Sequence, residues 1–98
     1  MHLGFIGCGN MAAAMMKGII TNQIISREDI IGSDLSKASL DKIQKDMGIR
    51  VTANNREVAE NAEILVLSVK PQFYETVINE IKAVSYTHLR AHETSAHL

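Results

Sequence analysis

The sequence predicts an α/β fold, a parallel sheet with helices on both faces that is incomplete at its C-terminal end. Three observations lead there. Short apolar runs alternate with segments of helical periodicity in the order β-α-β-α-β-α-β-α. The fourth run, from Glu63 to Val69, is almost continuously apolar, as a parallel strand buried on both faces must be. The first run stops at two glycines one residue apart, Gly7 and Gly9, and good helix formers begin directly after them. With 98 residues, 46% of them apolar, the chain has material for one small domain and no second core.

Leu3 to Ile6 is a short apolar strand closed by Gly7, after which Met11, Ala14, Met15, Gly18 and Ile19 recur at helical spacing. Ser26-Arg27-Glu28-Asp29 reads as a capped turn, and Ile30 to Ser33 as a second strand that ends at Asp34. Leu40, Ile43 and Met47 mark a second helix, with Ser36 as N-cap and Gly48 just past the end. Ile49 to Thr52 gives a third strand, and Asn55 is expected to cap a brief helix through Val58 and Ala59. Lys70-Pro71 stops the fourth strand, because proline lacks a ladder donor and suits the first turn of a helix. That last helix carries Phe73, Val77, Ile78 and Ile81 at core-like spacing.

A formal charge of −1, from 10 basic and 11 acidic side chains, offers no basic face for nucleic acid. Cys8, the single cysteine, has no partner for an internal disulfide. The start lacks the charged n-region of a signal peptide, and no apolar run approaches the ~20 residues that cross a bilayer, so a cytoplasmic protein without membrane contact is expected. From Ser85 the text changes: SYTHLRAHETSAHL holds three of the four histidines and no pattern of a buried strand. His88 and His92 with Glu93 lack the further ligands of a metal site, and none is expected.

Gly7-Cys8-Gly9-Asn10-Met11-Ala12 matches G-x-G-x-x-A in the strand-turn-helix context that a dinucleotide fingerprint requires, which makes the sheet Rossmann-like. Gly7 allows the tight turn, Gly9 lets a pyrophosphate reach the backbone, and Ala12 lets the helix pack close to the first strand. The N–H groups opening the helix then face the phosphates. Asp34, ending the second strand, stands where an acid commonly bonds the adenosine ribose hydroxyls, which favours NAD; Ser33, Ser36 and Lys37 around it are the residues that a 2′-phosphate would use. Cys8 is either a thiol activated by the helix terminus or, the preferred reading, a small filler. Lys70 lies at the carboxyl end of the fourth strand, where it either touches a cofactor or is simply solvated.

"GFIGCGNMAAAMMKG", the "NN" before the third helix and "VLSVKPQ", in this order, resemble pyrroline-5-carboxylate reductase from about Leu3 to Val84. The resemblance implies reduction of the cyclic imine 1-pyrroline-5-carboxylate to L-proline, the last step of proline biosynthesis, with hydride from NADPH or NADH. It implies that Ile6, Gly7, Cys8, Gly9, Asn10 and Met11 hold the pyrophosphate and that Asn55 contacts the adenosine portion. Ser68, Val69, Lys70 and Pro71 would lie along the ribose and nicotinamide side. No catalytic acid or base is implied within residues 1–84. The family usually favours NADPH, and often carries a small polar residue where Asp34 stands here.

Family members continue with another strand and a helical domain that forms the homo-oligomer and supplies most substrate contacts. On this reading residues 1–84 are a truncated NAD(P)-binding domain, inactive alone, and 85–98 a tail foreign to the family, disordered or artefactual. The fourth strand is then expected to lack its neighbour, leaving an open apolar edge prone to self-association. Two other readings stand beside it: another NADP-dependent reductase with the same N-terminal fold, such as the 3-hydroxyacid dehydrogenase or coenzyme F420-dependent groups, or a non-catalytic dinucleotide-binding module.

Overall fold

The computed structural model describes residues 2–85 and 90–93. Its strands are β1 (Leu3–Ile6), β2 (Ile30–Ser33), β3 (Arg50–Thr52), β4 (Ile64–Leu67) and β5 (Arg90–Glu93), and its helices α1 (Asn10–Thr21), α2 (Lys37–Met47), α3 (Asn55–Asn61) and α4 (Tyr74–Ser85). Short 3-10 turns at Arg27–Asp29 and Pro71–Phe73 lead into β2 and α4.

The strands form one parallel sheet in the order β3-β2-β1-β4-β5. From β1 the chain moves outward through β2 to β3, then returns to the other side of β1 for β4. That reversal places a topological switch point beside β1, and ligands of open α/β sheets bind at the strands' carboxyl ends there. Ile6 pairs with both Ser33 and Leu67. The segments following β1, β2 and β4 therefore emerge side by side.

Strand residues alternate between two cores, as the period of two requires. Leu3, Phe5, Ile30 and Val66 pack with Ala12 and Met16 of α1 and Leu40 and Ile43 of α2. Ile6, Ile31, Leu65 and Leu67 pack on the other face with Val58 and Ala59 of α3 and Val77 and Ile81 of α4. Burying each of the larger side chains contributes about 1.5–3 kcal/mol.

Three expectations change. Asn54, not Asn55, caps α3: its side chain accepts the Arg56 N–H at 2.9 Å. Of the α4 positions expected in the core, Val77 and Ile81 are buried, whereas Phe73 is 45% and Ile78 39% exposed. Phe73 belongs to the 3-10 turn before α4, whose tighter winding and longer rise shift its side chain from where an α-helix would place it. Finally, β4 is not an open edge, because Arg90–Glu93 pairs with Ile64–Leu67 in parallel register. Backbone pairing asks for an extended segment rather than an apolar one, so an edge strand need not carry the pattern of a buried strand. The remaining tail positions, His88 among them, lie outside the described residues. Among those described, no group of His, Cys, Asp and Glu is placed to hold a metal ion, and no helix is long and apolar enough to cross a membrane.

Candidate functional site

The turn after β1 is built around Gly7, whose φ of +100° is a conformation that L side chains rarely adopt. A Cβ at Gly7 would also lie 2.5 Å from the Ser68 carbonyl oxygen. The turn is fastened on both sides. The Gly7 N–H donates to the Ser33 carbonyl at 2.8 Å, and the Ser68 hydroxyl donates to the Gly7 carbonyl at 2.7 Å. The ends of β2 and β4 thus hold the loop before any ligand arrives.

Gly9 does the opposite. A Cβ there would meet nothing within 4 Å, and α1 opens at Gly9 with no side-chain cap and no acidic residue in its first turn. The N–H groups of Asn10, Met11 and Ala12 therefore start the helix without a protein carboxylate or hydroxyl upon them. Ala12 is fully buried, so the helix sits close against the sheet. Together these features leave donors and the positive end of a helix dipole beside open space, the arrangement that accommodates a pyrophosphate.

Gly7 and Gly9 line a cleft of about 430 Å³, together with Ile6, Asp34, Asn55, Ser68, Val69 and Lys70. The structure thus brings together eight of the residues expected from the sequence. Cys8, Asn10, Met11, Ala12 and Pro71 do not line it. Cys8 and Asn10 border a smaller hollow between α1 and α2, and Pro71 starts the 3-10 turn.

Asp34 is tied to the glycine loop. Its Oδ2 accepts the Cys8 N–H at 2.8 Å, and its Oδ1 accepts the Ser36 N–H at 2.8 Å. Cys8 is buried, and its Sγ lies 3.4 Å from the Ser33 carbonyl. Burial, and then the Asp34 charge, push its thiol up to about 12. The thiol is thus protonated at neutral pH and acts as the filler rather than the nucleophile. Asn55 bridges the two sides of the cleft: its Oδ1 accepts the Ser33 hydroxyl at 2.6 Å and its Nδ2 donates to Glu80 at 2.9 Å.

Leu35, Phe73, Thr76, Val77 and Glu80 also line the cleft and were not expected from the sequence. A signal was present for some of them. Phe73, Thr76, Val77 and Glu80 are spaced three and four apart, which puts them on one side of a helical turn, and Leu35 is a bulky apolar residue in a loop beside the strand-end acid. Leu35 is 94% exposed.

Pyrroline-5-carboxylate reductase of Methanosarcina acetivorans is 39% identical over 80 residues, covering 82% of this chain and 30% of that protein. The solved pyrroline-5-carboxylate reductase of Coxiella burnetii superposes with a TM-score of 0.86 at 30% identity, over 95% of this chain and 35% of that one. The Plasmodium falciparum pyrroline carboxylate reductase, solved with NADP bound, superposes with a TM-score of 0.77 at 30% identity, over 94% of this chain and 33% of that one. The chain thus spans about a third of the length of the relatives it matches. The family model described as "NADP oxidoreductase coenzyme F420-dependent" matches residues 2–89, and the chain belongs to that family.

Proposed function

We propose that this chain is the dinucleotide-binding part of a pyrroline-5-carboxylate reductase, which reduces the imine to L-proline with NAD(P)H. One observation carries the reading: an uncapped helix start and an unobstructed Gly9 face a cleft at the sheet's switch point. The likeness to pyrroline-5-carboxylate reductases, at 39% and 30% identity, supports the choice among NADP-dependent reductases.

The residues present fit such a cofactor. The backbone from Gly9 to Ala12 would take the pyrophosphate, Asp34 and Asn55 the adenosine side, and Ser68 to Lys70 the ribose and nicotinamide side. When bound, the dinucleotide supplies the hydride that adds to the C=N carbon. This chain's own residues bind and orient it: the Ser68 hydroxyl and the Ser33 carbonyl hold the turn in place, and Ile6 and Val69 give the cleft apolar wall. The exposed Leu35 and Phe73 add apolar surface at the rim that a flat heterocycle would cover.

Titration of the chain with NADH, followed by the cofactor's fluorescence, tests the part of the function that these residues must carry themselves. Saturable one-to-one binding is expected. Absence of binding at millimolar NADH and NADPH would remove the reading. Coupling to imine reduction is then assayed by oxidation of NADH in the presence of 1-pyrroline-5-carboxylate.

A further inference from the structure

We propose that Glu80 is a positioning residue for the dinucleotide, acting through Asn55, whose side-chain amide it holds in one orientation at the cleft. The inference rests on the dinucleotide reading above, which gives Asn55 a ligand to meet.

An asparagine amide has an acceptor at one end and a two-proton donor at the other, and a half-turn exchanges them. Both ends of Asn55 are taken up by the protein. The hydroxyl of the fully buried Ser33 donates to its Oδ1 at 2.6 Å, and a Glu80 carboxylate oxygen accepts from its Nδ2 at 2.9 Å. Ser33 cannot settle which end faces it, because a hydroxyl can donate or accept. Glu80 can, because an ionised carboxylate only accepts: a reversed amide would turn oxygen against oxygen and lose the bond. With the orientation fixed, the second N–H of Nδ2 remains for an oxygen of the ligand.

The anchors belong to rigid parts of the fold. Ser33 ends β2, and its carbonyl also accepts the Gly7 N–H, so Asn55 is tied to the strand end that fastens the glycine turn. Glu80 lies on α4, which the buried Val77 and Ile81 seat against the sheet. Asn54 supplies the cap of α3, which leaves the neighbouring Asn55 side chain for the cleft. Among the described residues no cation pairs with Glu80, although both it and Asn55 line the cleft. A bare carboxylate beside an anionic ligand would weaken binding by repulsion, whereas one that orients Asn55 strengthens it. The two roles therefore predict effects of opposite sign.

The test is equilibrium titration of the full chain with NADH and NADPH for the native sequence, Glu80→Ala and Glu80→Gln, with a urea midpoint for each. Glu80 is exposed, so neither substitution disturbs the core; Glu80→Gln keeps a carbonyl oxygen for the Asn55 N–H, and Glu80→Ala removes the acceptor. Glu80→Ala is expected to weaken binding by about three- to tenfold, and Glu80→Gln to stay within about twofold of native, at unchanged urea midpoints. In an Asn55→Ala background, Glu80→Ala should change affinity no further, because the residue through which it acts is gone. Tighter binding by both Glu80 variants would show repulsion alone and overturn the inference while leaving the dinucleotide reading intact. So would a native affinity in Glu80→Ala, a Glu80→Gln as weak as Glu80→Ala, or an equal loss with and without Asn55. Failure of both nucleotides to saturate the native chain would instead overturn the dinucleotide reading, and this inference with it.

Discussion

Helices α1 and α2 lie on the same face of the sheet and share one core, yet their ends are made differently. α2 has both boundary signals: Ser36 caps its start by accepting the Ser39 N–H, and Gly48 ends it in the left-handed conformation at φ +71°. α1 has neither. It starts at Gly9 without a cap, and it ends in a Schellman pair, Gln23 N–H to the Ile20 carbonyl and Ile24 N–H to the Ile19 carbonyl, with Gln23 at φ +57° where glycine is usual. α2 is therefore fixed by local sequence, whereas α1 depends on the burial of Ala12 and Met16 and leaves its first N–H groups for something outside the chain.

The largest effect should come from the turn that aims α1. Gly7→Ala forces a side chain into a left-handed conformation and into the Ser68 carbonyl at 2.5 Å. We expect a loss of more than about 3 kcal/mol, read as a fall in the urea midpoint or loss of a cooperative transition. A variant as stable as the native chain would show that the turn is not the rigid anchor described above.

Next comes a substitution that makes α1 resemble α2. Gly9→Asp supplies the missing cap at a position with φ −81° and ψ −162° and room for a Cβ. Stability should hold or rise by a few tenths of a kcal/mol. Dinucleotide affinity should fall by at least about tenfold, because a carboxylate then occupies the space left for the pyrophosphate. Stability and binding moving together in a melt and a titration would mean that the bare helix start has no tie to ligand.

Smaller effects sharpen the contrast from the other side. Ser36→Ala should cost about 1 kcal/mol, the ordinary worth of a lost cap, while Gln23→Gly should add about 0.5 kcal/mol by relieving the left-handed residue that ends α1. Thermal melts of the two variants should therefore shift in opposite directions.

The same contrast explains how much was legible in the sequence. α2 was readable from Ser36, Gly48 and its apolar spacing because those are local signals. The glycine turn was readable because its backbone demands leave few residues to choose from. What escaped the sequence depends on contacts far apart in the chain or on a choice between like neighbours. Asn54 and Asn55 are chemically identical, and only the fold decides that one caps α3 while the other reaches Ser33 and Glu80. Asp34 was visible as a strand-end acid, but its bond to the Cys8 N–H joins the ends of two strands. β5 escaped because its pairing is made by the backbone, which the side-chain pattern of residues 90–93 does not report.

Cys8 gives the smallest effect and a test of how closely the loop and β2 pack. Its thiol is held protonated in the fold, up to about 12, while in the unfolded chain it ionises near the ordinary value of 9.0. Above that value the unfolded state binds fewer protons than the native one, so stability must decline as pH rises. The contribution is complete below about pH 8 and is lost progressively up to the folded value; by pH 9 the loss should be about 0.4 kcal/mol. Cys8→Ser has no comparable thiol to ionise, so its stability should lack this decline between pH 7 and 9. Native thiol should also react with iodoacetamide at pH 8 only as fast as the chain opens. Rapid alkylation of the folded chain would mean that the side chain is reachable and that the turn does not seal against Ser33 as described.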